Sequence, residues 1–154
     1  METVSIPSDT AALALRLALA TILGAAVGLN REISLKPAGL RTHALVSLGA
    51  ALLTYVGLQF GRPAGDMAAV SRVVQGMMAG IGFIGGGVIL HRGTRAVHGL
   101  TTAASIWIVT ATGVAAGAGL WRAATMAIGL TLLVLTIGHH IDNALHKTSG
   151  PDRD

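Results

Sequence analysis

The chain has 154 residues, of which 52% are hydrophobic and 12% charged, with a net charge of +4 and a mean hydropathy of +0.66. A charged fraction about half that of ordinary soluble domains excludes a water-soluble globular protein. The absence of cysteine excludes disulfides, thiol catalysis and cysteine-bound metals, and the scattered basic residues form no long run of the kind that binds nucleic acid.

Crossing a hydrocarbon core of about 30 Å takes roughly 20 helical residues. Five apolar runs meet that length, at approximately 10–29, 42–60, 73–90, 100–120 and 123–141. They predict an all-α, polytopic membrane domain over residues 1–141 and a short polar tail over 142–154 that frays.

The first span contains Arg16, which either snorkels upward toward Asp9 or the outer headgroups or enters an ion pair inside the bundle. Ala18-Leu19-Ala20 resembles a signal-peptide cleavage site, but the acidic residues before it and the interrupting Arg16 favour a retained helix. Gly24 and Gly28 set the small-xxx-small spacing that lets membrane helices approach closely.

The densest polar stretch follows, Asn30 to Arg41. Glu32 and Lys36 stand at i,i+4, the favourable order for a helical ion pair, and Pro37 then stops simple continuation of the helix. Two readings stay open, a headgroup anchor and a polar site in which Arg31, Lys36 or Arg41 holds Glu32.

After the second span, Gly61 to Ser71 is rich in turn formers and is expected to be a loop. Arg72 and Gln75 then open the third span on one face, with Gln75 placed to seek an interhelical hydrogen bond. Six glycines fall between Gly76 and Gly87, including the pairs Gly76/Gly80 and Gly82/Gly86, which predicts a helix that packs through its glycine face. Thr101, Thr102 and Ser105 begin the fourth span, where hydroxyls bond either their own carbonyls or a neighbouring helix. Gly113 and Gly117 repeat the packing spacing, and a tight hairpin at Leu120-Trp121-Arg122 leads to the fifth span.

Neither the pair His91 and His98 nor the adjacent His139 and His140 has the spacing or the additional ligands of a metal site, so no metal or cofactor is expected. All seven acids lie at span ends, in loops or in tails, which argues against a carboxylate-lined path for a dehydrated divalent cation within one subunit and leaves a hydrated or carbonyl-lined path open. No nucleophile–base pair or nucleotide-binding motif points to an enzyme.

Orientation follows from the basic residues, because cytoplasmic loops carry the excess. Arg31, Lys36, Arg41, Arg92, Arg95, Lys147 and Arg153 fall on one side, against Arg62, Arg72 and Arg122 on the other. The N-terminus is therefore expected outside and the C-terminus in the cytoplasm. The expected surroundings are the lipid bilayer, a membrane-protein partner and further copies of the chain.

Three blocks resemble the MgtC/SapB family of bacterial inner-membrane proteins. They are Gly28-Leu-Asn-Arg-Glu32 running on to Lys36-Pro-Ala-Gly-Leu-Arg-Thr-His43; Arg72-Val-Val-Gln75 running on to Gly80-Ile-Gly-Phe-Ile-Gly-Gly-Gly-Val-Ile89; and Val97-His-Gly-Leu-Thr-Thr-Ala-Ala-Ser-Ile-Trp107. The resemblance implies five helices with a periplasmic N-terminus and a role in magnesium limitation. It also implies survival in macrophages for pathogen members and, for some, restraint of the F-type ATP synthase. Its motif positions fall on Arg31, Glu32, Arg41 and Arg72, with Gln75 and Thr101 as further positions. Relative to members with a soluble domain after the fifth helix, the chain is expected to be a short form, and Thr101 replaces the Asn of some virulence-associated members. The resulting expectation is a non-enzymatic regulator of another membrane complex, in magnesium or acid stress, that uses Asn30, Arg31, Glu32, Lys36, Arg41, Arg72, Gln75 and Thr101. A small oligomeric transporter or channel is the alternative.

Overall fold

The structure, a computed structural model, describes residues 10–61, 67–89 and 98–148. Five helices follow one another: α1 Thr10–Ile33, α2 Leu40–Gly61, α3 Met67–Ile89, α4 Leu100–Gly117 and α5 Trp121–Thr148. All five are long and apolar enough to cross a membrane, and their outward faces carry large apolar side chains such as Ile33, Phe60, Phe83 and Val134. This is a multi-pass helical membrane protein, in which every spanning segment satisfies its own backbone hydrogen bonds.

The helices end where local chemistry ends them, and several boundaries differ from those predicted. α1 continues past residue 29 to Ile33, so Asn30, Arg31 and Glu32 are helical. The chain turns only at Ser34–Gly39, where Leu35 (φ 53) and Ala38 (φ 57) take left-handed conformations around Pro37. α3 begins at Met67, so the segment just before Arg72, expected to be loop, is helical. α4 stops at Gly117 because Gly119 (φ 84) closes a Schellman turn, with Gly119 N–H donating to the Ala116 carbonyl and Leu120 N–H to that of Ala115. α5 runs on to Thr148, so the expected frayed tail is helical over 142–148. Asp9, Arg62, Asp66, His91, Arg92, Arg95 and Arg153 lie outside the described residues, as do the side chains of His139 and His140.

α4 sits at the centre and touches the other four helices. With α1 and α2 it forms the core; α3 packs on α2 and α4, and α5 on α1 and α4. Half of the apolar stretch of α4 is buried, but none of that of α3. The buried side chains are small (Ala20, Ala51, Ala116 and Ala124 in one cluster; Val27, Val109 and Ile128 in another), which keeps the helix axes close.

Glycines set that distance on both sides of α2. A Cβ at Gly24 would come within 2.5 Å of the His43 carbonyl oxygen, and one at Gly28 within 2.6 Å of the Leu40 Cα. From the other side, Gly113 presses on the Ser47 carbonyl and Gly117 on that of Ala51. The expectation that Gly76, Gly80, Gly82 and Gly86 also pack needs correction for the single chain. A Cβ at any of these meets no atom within 4 Å among the described residues. Gly76 and Gly80 line an open groove between α3 and α2 instead of a tight contact, and within α3 it is Gly85 that lies against Ala103 of α4.

Gly113→Ala and Gly117→Ala push α4 off the α2 backbone and should cost about 1–3 kcal/mol each, the range for overpacking a tight interior. Gly80→Ala should leave stability unchanged or slightly raised. Denaturant unfolding in mixed micelles, followed by far-UV circular dichroism, distinguishes the two sets.

Candidate functional site

Half of the buried hydroxyls are silent, because Thr54, Thr110 and Thr112 each donate to the carbonyl one turn back in their own helix. The exception is a polar cluster where α1 ends and α2 and α4 begin. Arg31 stands in the last turn of α1 at 6% exposure and donates from Nη2 to Thr102 Oγ1 at 2.7 Å. Its Nε is buried without a hydrogen-bond partner among the described residues.

His43, fully buried on α2, completes the cluster. Its Nδ1 is 3.1 Å from the Gly39 carbonyl oxygen, which can only accept, so Nδ1 carries a proton. Its Nε2 lies 3.0 Å from Ser105 Oγ, which is itself 2.8 Å from the Thr102 carbonyl oxygen. The single Ser105 proton thus has two acceptors in reach whenever His43 is neutral. One turn further along α2, Ser47 Oγ is buried and unpartnered beneath Gly24 and Gly113.

The residues expected to act together are divided by this geometry. Glu32 does not pair with Arg31, Lys36 or Arg41. Its side chain is exposed and lies over Gly39, where Oε2 accepts the Leu40 N–H at 2.9 Å. A carboxylate there caps α2 and complements the positive end of its dipole. The helical Glu32–Lys36 pair is absent because α1 has ended at Ile33, and the Lys36 amide instead donates to the Arg31 carbonyl. Asn30 is half-buried, whereas Lys36 and Arg41 are exposed at the same end.

Gln75 makes no interhelical bond among the described residues; its Nε2 donates to Ser71 Oγ, at 3.3 Å, within α3. Arg72 is exposed on α3 near the other end, apart from the cluster. Thr101 is exposed, and it is the adjacent Thr102, at 1%, that faces inward. Arg16 turns into the bundle and donates from Nη1 to the Gly117 carbonyl at 3.1 Å. The sequence does not by itself mark His43, Thr102 and Ser105 as one site. Their signal was polar residues at i,i+3 or i,i+4 within apolar spans, His43/Ser47 and Thr102/Ser105, meeting across one interface.

The fold and cluster define a small multi-pass helical protein with a buried polar cluster, Arg31, His43, Thr102 and Ser105, at one end. Among the described residues, no group of three or more His, Cys, Asp or Glu could hold a metal ion. The chain belongs to the MgtC family, whose model matches residues 17–144. It is similar to SrpB of Synechococcus elongatus, with 43% identity over 146 residues, covering 88% of this chain and 80% of SrpB. YhiD of Escherichia coli K12, named provisionally as a magnesium transporter, is 39% identical over 139 residues, covering 86% of this chain and 63% of YhiD. SapB of Bacillus subtilis is 34% identical over 143 residues, covering 90% of this chain and 60% of SapB. The chain therefore spans less than two thirds of YhiD and of SapB. No solved structure matches it.

Thr102→Val keeps the shape but strands the Arg31 guanidinium, and should destabilise the bundle by about 1–3 kcal/mol. Thr101→Val, one residue away on the lipid-facing side, should change stability little. Parallel unfolding titrations of the two variants in the same detergent check this.

Proposed function

We propose that the chain is a non-enzymatic regulator of another membrane complex, serving adaptation to magnesium limitation or acid stress, and that its Arg31 end faces the cytoplasm. The observation that carries this reading is the closed interior. The polar groups between α1, α2 and α4 are basic or hydroxylic, contain no described carboxylate, and are shut in by backbone contacts at Gly24, Gly28, Gly113 and Gly117. No described carboxylate lines a path through this interior for a stripped divalent cation. The exposed polar groups Glu32, Lys36 and Arg41 present a docking face at the same end.

The family supports a link to magnesium, and the F-type ATP synthase is the proposed partner class. Co-reconstitution tests it: ATP-driven proton pumping by purified synthase should fall when this chain is added and recover with Arg41→Ala. Equal pumping with and without the chain counts against the synthase as partner.

The name of YhiD favours a second reading, an oligomeric transporter. A groove of about 600 Å³ between α2 and α3, lined by Gly49, Leu53, Arg72, Gly76, Gly80 and Ile84 and floored by Thr110, supplies the surface at which copies would meet. Magnesium flux into proteoliposomes that exceeds empty vesicles, and is abolished by Gly80→Trp, would replace the regulator with this transporter.

A further inference from the structure

The guanidinium of Arg31 is a permanent charge, since arginine does not give up its proton in proteins. Buried charges are held by counter-charges, because an isolated one is among the costliest groups to take out of water. Among the described residues, the surroundings of Arg31 provide none. From α1, the neighbouring Glu32 is turned outward to cap α2. From α2 comes His43, a second basic group, with both ring nitrogens already engaged. From α4 come the neutral hydroxyls of Thr102 and Ser105.

The backbone adds to the positive charge. Thr102 is in the first turn of α4, which starts from a left-handed Gly99 (φ 88) and has no side-chain cap. The amides of Leu100, Thr101 and Thr102 have no acceptor within the helix, and the dipole of an 18-residue helix places partial positive charge at this end. A buried guanidinium with a free Nε and an uncapped helix N-terminus therefore converge on one threonine. Each repels the other until an anion joins them. Helix N-termini with nearby arginine have the donor geometry for a tetrahedral oxyanion.

We propose that Arg31 and the first turn of α4 bind a phosphate-type oxyanion, either the headgroup phosphate of an anionic phospholipid or free inorganic phosphate. The apolar residues exposed around this end, Ile33, Leu35, Leu100 and Trp107, give acyl chains a surface beside the headgroup.

Native mass spectrometry of the purified chain, with phosphatidylglycerol or phosphatidylcholine added, tests the site alongside thermal unfolding with and without inorganic phosphate at matched ionic strength. A phosphatidylglycerol adduct retained over phosphatidylcholine assigns the site to lipid; stabilisation by inorganic phosphate alone assigns it to the free ion. Arg31→Gln should reduce the favoured ligand's occupancy about ten-fold, the loss of one charge-assisted hydrogen bond, whereas Arg122→Ala at the opposite end should retain it. If Arg31→Gln does not fold, a phosphatidylglycerol carrying a headgroup photocrosslinker, or phosphorus NMR broadening of inorganic phosphate, reads the wild-type protein directly. Labelling of residues 31–43 or 98–105, or phosphate exchange broadening, supports the site. Folded wild-type protein that prefers neither phosphatidylglycerol nor phosphate overturns it.

Discussion

The structure depends on α2 being gripped from both sides by glycines. Gly24 and Gly28 of α1 seat against residues 39–47, and Gly113 and Gly117 of α4 seat against residues 47–51. In lipid there is no hydrophobic gain from bringing helices together, so backbone proximity and van der Waals contact must hold them. A single methyl on any of the four would meet α2 backbone or the Ser47 Cβ within the contact distances of packed atoms. α3 and α5 attach to this triple, and their outward faces remain free.

The polar cluster follows from that grip. Bringing α1, α2 and α4 so close puts the ends of three helices within a few ångströms, and the side chains that meet there must satisfy one another or leave a cost. Thr102 bridges Arg31 through its side chain and Ser105 through its carbonyl, and Ser105 passes the contact to His43. Glu32 caps α2 on the outside of the same junction. Two adjacent residues of α1 thus have opposite tasks because successive helical positions point about 100° apart.

That angular step also explains what the sequence made legible. Five spans were readable because length and apolarity are properties of a whole segment, and the glycines of α1 and α4 because their spacing matches a helical face. Which face of α3 turns inward was not readable. In a membrane both faces are apolar, so amphipathicity does not mark the buried side as it does in water. Gly85 rather than Gly76 or Gly80 meets α4, and Thr102 rather than Thr101 meets Arg31, each a rotation that only the packed bundle resolves. The ends of α1, α3 and α5 extended beyond the apolar runs because charged and turn-forming residues can be helical in the interface, where hydropathy alone sees a boundary.

Arg16 and Arg31 both reach from α1 to α4, one to the Gly117 carbonyl at its last turn and the other to the Thr102 hydroxyl at its first. The two arginines are fifteen residues apart on α1, and so are their two acceptors on antiparallel α4. The pair therefore works as a vernier: only one alignment of the two helices engages both marks. Sliding α1 by a single turn breaks both contacts together. Arg16 and Arg31 thereby fix the register of α1 against α4 at both ends of the bundle.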